Sequence, residues 1–127
     1  MIRSLFEQSP LPVLAKGMEG LSLRLTAITD NLANASTPGY KRKEVRFEEA
    51  LAAAIAGQPR GLAERVAGVK PVLSADFRSR LRADGNNVDF DQEMVAAAQA
   101  TGRSMAVSEL LARNYGMLET AIRERMR

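Results

Sequence analysis

Between Leu11 and Ala35, apolar or small residues recur at Leu11, Leu14, Met18, Leu21, Leu25, Ile28, Leu32 and Ala35. The steps alternate three and four without a break. That spacing keeps one stripe on one helix face and matches the heptad of a coiled-coil seam. Pro12 suits the first turn of such a helix, where its missing N–H is no loss. Gly17 and Gly20 each weaken a helix by roughly 1 kcal/mol relative to alanine, so the stripe needs a partner to pack on. From Asp89 onward no proline intervenes, and a second stripe runs through Met94, Ala98, Thr101, Met105, Ser108, Leu111, Tyr115, Leu118 and Ile122. Asp89 with Gln92 matches a capping box. Arg123, Arg125 and Arg127 suit the negative end of the helix dipole. The spacing predicts a helix of about 35 residues, or about 50 Å.

The middle is poorer in pattern. Residues 44–56, EVRFEEALAAAIA, suggest a short helix. Between residues 57 and 85, Gly57, Pro59, Gly61, Gly68, Pro71 and Gly85 fall amid scattered charge, which reads as a loose connector with VKPVLSA extended. The chain therefore divides into an N-terminal helix (1–35), a turn, short helix and connector (36–88), and a C-terminal helix (89–127). The expected fold is mainly α. Its long N- and C-terminal helices pair as an antiparallel coiled-coil-like hairpin, with a loop-rich, partly extended middle connector. An ordinary small helical domain is the plainer alternative.

Composition sharpens this reading. The 127 residues allow one domain, and 46% are hydrophobic, yet twenty are alanine and there is no tryptophan. Two narrow stripes bury less apolar surface than is needed to offset the ordering of both helices. The isolated chain is thus expected to be marginal and to complete itself against neighbours. The net charge of +3 permits contact with phosphates without demanding it. Cysteine and histidine are both absent, which removes thiol chemistry, the commonest general base and the commonest metal ligand. No paired carboxylates, Gly-rich phosphate loop or nucleophile–base pair stands out, so no catalytic, cofactor or metal site is expected and the chain reads as no enzyme. The stretch MIRSLFEQSPLPVLAKGMEG is broken by Glu7, Gln8, Pro10 and Pro12 and contains no apolar core of a secretory signal. Composition alone points to a soluble, cytoplasmic protein.

The first helical pattern stops in NLANASTPGYKRK, residues 31–43. Asn34 suits the left-handed conformation that ends a helix, and Thr37 is pushed out of helical geometry by Pro38. Pro38–Gly39 fits the centre of a type II turn, with glycine supplying the positive φ. Tyr40 offers an aromatic body with a polar tip. Lys41, Arg42 and Lys43 read first as a solvated basic face; no second basic stripe with interleaved aromatics supports nucleic-acid binding. Asn34-Ala35-Ser36 fits a glycosylation sequon only weakly. Asp84-Gly85-Asn86-Asn87-Val88-Asp89 looks calcium-like but has Asp89 where the loop glycine belongs and Val95 where a bidentate glutamate belongs. It reads instead as an Asx-rich turn leading into the second helix.

These residues carry a resemblance. LSLRLTAITDNLANASTPGYKRKEVRFEEAL resembles the N-terminal signature of the bacterial flagellar axial proteins, the rod and hook family, with its core from Asn31 through Tyr40. DGNNVDFDQEM and RNYGMLETAI are similar to the proximal rod branch, as are the short length and the lack of a large inserted β domain. The resemblance covers about residues 11–56 and 84–126. It implies a structural subunit of the periplasmic rod of the flagellar basal body, exported by the flagellar type III system without a cleaved signal peptide. Such a subunit is built into the drive shaft by helix packing. The implied partners are further copies of itself, FlgC, FliE, distal rod proteins, and export-gate and MS-ring components, with neither nucleic acid nor a small-molecule substrate. The family's turn motif falls on Asn31, Asn34, Thr37, Pro38, Gly39 and Tyr40. Packing and assembly are expected to fall on Leu14, Met18, Leu21, Leu25, Ile28 and Leu32, and on Met94, Met105, Leu111, Tyr115, Leu118 and Ile122. Two alternatives remain: another rod subunit such as FlgC, and a small basic helical nucleic-acid-binding protein.

Overall fold

The computed structural model describes residues 9–126. The first eight residues of the expected N-terminal helix, and Arg127 at the other end, lie outside the described residues. Two long helices dominate: α1, Leu11–Ala33, and α4, Phe90–Arg125. Between them come β1, Lys43–Arg46; α2, Glu48–Ile55; α3, Leu62–Ala67; and β2, Val72–Ala75. The architecture is mainly helical.

Helix α1 opens at the prolines, with Pro10 as its N-cap and Pro12 in its first turn. Helix α4 is capped as the sequence suggests: the Asp89 carboxylate accepts from the Gln92 N–H at 3.1 Å. It runs for 36 residues and ends on Arg123 and Arg125. Asn34 does not take the expected left-handed conformation; it sits at φ −107°, ψ 14°. Its side chain instead donates to the Asp30 carbonyl at 2.9 Å, which also takes the Asn34 N–H at 3.0 Å, so the last turn is held twice without a positive φ.

The middle is more ordered than the sequence suggests. The expected helix over 44–56 begins only at Glu48, because Lys43–Arg46 is a strand. The reason is a period of two: Val45 and Phe47 are both buried, with Arg46 between them exposed. VKPVLSA is extended as expected, and its β2 portion pairs antiparallel with β1. The expected loose connector also holds a short helix. Within α3, Val66 is 1% exposed, and the Arg65 guanidinium donates to the carbonyls of Ala54 (3.0 Å), Gln58 (2.5 Å) and Arg60 (2.8 Å). One arginine thus ties down the glycine-rich loop after α2.

The core lies where the C-terminal half of α1 meets β1 and the start of α4. Leu21, Ala27, Val45 and Phe47 form its centre, with Leu23, Leu51 and Val107 packed against them. Gly20 gives Phe47 its seat: a Cβ added there would lie 2.5 Å from the ring. The same ring lies under the Arg24 guanidinium, 5.1 Å from its centroid. Among the described residues none after Ala100 is buried, so the distal part of α4 stands largely outside this core.

Candidate functional site

The most densely bonded region is the turn motif, and it is built around buried amides. Asn31 is fully buried in the last turns of α1. Its Nδ2 donates to the Lys43 carbonyl at 2.8 Å and to Glu93 Oε2 at 3.0 Å. Its Oδ1 accepts from the Lys43 N–H at 2.8 Å and from the Tyr40 hydroxyl at 3.2 Å. The side-chain amide therefore serves Lys43 as a neighbouring strand would, offering one donor and one acceptor in place of a peptide unit. Burial raises the Tyr40 phenol above its ordinary value, opposed by nearby Lys43.

Glu93, on the first turn of α4, is also fully buried. Arg42 Nε donates to its Oε1 at 2.5 Å, and Arg42 lies within 3.7 Å of Glu44 and 3.5 Å of Asp76. A buried carboxylate is costly unless paired and hydrogen-bonded; here one oxygen takes the guanidinium and the other the Asn31 amide. Burial works against the Arg42 charge, but the bond to Glu93 and the surrounding carboxylates outweigh it and hold its pKa above the ordinary value.

Two further asparagines lock the turn from the other side. Asn86, fully buried, donates through Nδ2 to the carbonyls of Asn34 (2.9 Å), Ala35 (3.3 Å) and Thr37 (2.9 Å), and its Oδ1 accepts from the Val88 N–H at 2.7 Å. It closes the C-terminal end of α1, whose last carbonyls lack helical partners. Asn87 Nδ2 donates to the Asp76 carbonyl at 2.7 Å, while its Oδ1 accepts from the Arg42 N–H at 2.6 Å. Pro38–Gly39 forms the expected turn: Gly39 has φ 73° and the Tyr40 N–H reaches the Thr37 carbonyl at 3.2 Å. A second turn at Gly85, φ 79°, packs against it, and the Gly39 N–H donates to the Asp84 carbonyl at 2.8 Å. Both glycines sit where an L side chain would be strained.

The structure thus brings Asn31, Asn34, Thr37, Pro38, Gly39 and Tyr40 together and adds Arg42, Asn86 and Asn87, expected only as part of a basic face and an Asx-rich turn, and Glu93, which the sequence did not single out. The polar positions on the two apolar faces were the available signal: Asn31 lies one helical turn after Ile28, and Glu93 one turn before Ala97. The basic triplet is no solvated face. Lys41 bonds the Gly85 carbonyl, Arg42 bonds Glu93, and Lys43 bonds Asp30 at 3.1 Å. The Asx-rich turn is as expected, with the Asn86 N–H on the Asp84 carboxylate at 3.0 Å.

The packing stripes fare unevenly. On α1, Leu21 and Ile28 are buried, and Leu14, Met18, Leu25 and Leu32 are half-buried. On α4 the face turned inward is Glu93, Ala97, Ala100, Ser104, Val107, Leu111, Asn114 and Leu118, all buried or half-buried. Of the expected residues only Leu111 and Leu118 belong to it. Met94 (50% exposed) and Met105 (69%) point away from α1, whereas Tyr115 (59%) and Ile122 (59%) are exposed although each falls one helical turn after an inward residue, Leu111 and Leu118. Near its start, where α1 comes close, the inner face of α4 carries the small Ala97, Ala100 and Ser104, and the bulky Met94 and Met105 stand outside.

A family model described as Flagella basal body rod protein matches residues 11–41, which is α1 with its turn. The flagellar basal body rod protein FlgB of Borrelia hermsii is 38% identical over 106 residues, covering 72% of this chain and 78% of that protein. The protein of the same name from Bacillus subtilis is 29% identical over 117 residues, covering 86% of this chain and 89% of that protein. A shorter likeness, 48% over 42 residues, links a third of this chain to 11% of the flagellar hook protein FlgE of Brucella melitensis.

Proposed function

Since the chain belongs to the FlgB family of flagellar basal body rod proteins, we propose that it is a structural subunit of the proximal rod, exported by the flagellar type III system and built into the periplasmic shaft by helix packing. It is a structural part of the motility apparatus rather than an enzyme. The observation that carries this reading is the face that α4 leaves uncovered. Met94, Val95, Met105, Leu110, Tyr115, Met117 and Ile122 are each more than 40% exposed on a helix anchored at one end by Glu93 and Ala100. That many apolar side chains left uncovered around one helix mark it for assembly rather than for solvent.

In this reading α1 and α4 run antiparallel as a hairpin. Asn31 meets Glu93, while Val107, farther along α4, packs on the cluster containing Leu21, earlier in α1. The turn motif then acts as the fixed corner, leaving Asn34, Thr37, Pro38, Gly39 and Tyr40 to set the angle at which β1 departs. The outer face of α4 meets neighbouring copies and other axial subunits, with FlgC, FliE, distal rod proteins and the export-gate and MS-ring components as the expected contacts.

The test separates assembly from folding. Met105→Asp and Met117→Asp place charges on exposed positions away from the side turned to α1. Combined in a strain lacking the native copy, they are expected to abolish swimming and incorporation into purified basal bodies, while the isolated chain keeps its circular dichroism spectrum. Normal swimming would contradict the assignment of this face to assembly.

A further inference from the structure

The two-stranded sheet has unequal edges. Helix α1 seals the outer edge of β1: Asn31 takes both backbone groups of Lys43, and Arg24 Nη2 donates to the Val45 carbonyl at 2.8 Å. The register pairs Lys43 with Ala75, Glu44 with Ser74, Val45 with Leu73, and Arg46 with Val72. The Arg42 carbonyl accepts from the Asp76 N–H at 2.7 Å. In an antiparallel ladder, backbone groups of successive residues face opposite sides. Since Lys43 and Val45 face α1, their partners Ala75 and Leu73 turn their N–H and C=O groups away from β1. Among the described residues no side-chain or loop hydrogen bond reaches these four groups. The strand also carries exposed apolar side chains, Val72 at 57% and Leu73 at 46%, and Phe77 just beyond it is 78% exposed.

We infer that the outer edge of β2 accepts an extended segment of another protein chain that bears carboxylates on either side of a short apolar run. The backbone supplies the first half of the reasoning. A strand seated opposite Leu73 and Ala75 satisfies four open groups and covers the exposed aliphatics, the geometry of strand addition at a sheet edge. Charge supplies the second half. Lys70 precedes the strand, and Arg78 and Arg80 follow it; among the described residues Lys70 and Arg80 have no carboxylate partner, and Arg78 reaches Glu44 only at 3.3 Å with a 75% exposed side chain. The same charges disfavour a second copy as occupant. An antiparallel β2–β2 pair centred on Ser74 would set Lys70 opposite Arg78 of its twin, and like charges across strands repel. Within Val72–Ala75 itself there is neither a charge nor a proline to blunt the edge. This assignment concerns the edge alone and stands independently of the rod reading.

The experiment uses the isotope-labelled full chain and a short synthetic peptide of alternating valine and threonine with a glutamate at each end. On addition of the peptide, the Leu73 and Ala75 amides are expected to shift and to gain protection from hydrogen exchange. Binding should be about three- to tenfold tighter than for the lysine-flanked equivalent. Ala75→Pro, which removes an outward donor and leaves the Glu44–Ser74 pair in place, is expected to abolish the effect. The same contact is tested on the unaltered chain with a peptide N-methylated at alternate residues, which is expected not to bind. Absence of protection at Leu73 and Ala75, equal binding of the glutamate- and lysine-flanked peptides, binding of the N-methylated peptide, or dimerisation through these amides without any peptide would each overturn the inference.

Discussion

At the scale of single residues, the account rests on three buried asparagines and one buried glutamate. Asn31 shows why residue type matters more than polarity. An aspartate has almost the same shape, but it cannot donate to the Lys43 carbonyl or to Glu93, and it would set a second carboxylate about 3 Å from the first. Asn31→Asp is therefore expected to destabilise the chain by about 3 kcal/mol, read as a fall in the urea midpoint. A variant as stable as the native chain would show that Asn31 does not hold the turn to α4. This node was half legible. Pro38–Gly39 declared its turn, because only glycine meets the backbone conformation required there. The partners of Asn31 could not be read, because Lys43 and Glu93 meet it from 12 and 62 positions away, a distance set by the fold rather than by any local pattern.

At the scale of elements, helix boundaries were written plainly in the caps, whereas faces were not. The heptad reading of α4 favoured large side chains and placed Met94 and Met105 inward. The close approach of α1 reverses that choice and turns Ala97 and Ala100 inward. The β1–β2 pair was hidden for a related reason: four-residue strands carry too little alternation to compete with EEALAAAI, whose helical preference dominates the same window. Gly20 and Gly17 test the packing directly. At Gly17 nothing lies within 4 Å of an added Cβ, so Gly17→Ala is expected to stabilise α1 by about 0.5–1 kcal/mol. At Gly20 the same gain meets the Phe47 ring, and overpacking costs about 1–3 kcal/mol, so Gly20→Ala is expected to destabilise by about 1 kcal/mol net. Thermal unfolding of the two variants measures the contrast; equal shifts would mean that Phe47 does not rest on Gly20.

At the scale of the whole molecule, stability is unevenly distributed and acid-labile. The Arg24 guanidinium holds the Glu48 carboxyl at about 2, against an ordinary 4.5, despite a penalty from partial burial. The Ser79 hydroxyl and N–H, aided by Arg42, lower Asp76, and the Asn86 N–H lowers Asp84. Each is a depressed carboxylate, so its contribution is complete above its ordinary value and fades as pH falls below it, for Glu48 from 4.5 towards about 2. Glu48 is nearly half exposed, so its share is small, well under the full Coulomb value. With no histidine in the chain, stability is expected to be flat from about pH 5.5 to 8 and to fall below about pH 4.5, followed by circular dichroism. A transition near pH 6.5 would be at odds with this picture.

The central claim is that one end of the molecule folds by itself while the distal part of α4 waits for neighbours. Burial around Asn31, Phe47, Glu93 and Ala100, with none beyond Ala100 among the described residues, supports that claim. Residue-resolved hydrogen exchange of the isolated chain tests it most directly. The account predicts strong protection across Leu21–Asn31, Lys43–Arg46 and Glu93–Ala100, little protection from Ser108 to Arg125, and protection of that last segment once the chain is assembled. Uniform protection along all of α4 in the isolated chain, or none anywhere, would contradict it.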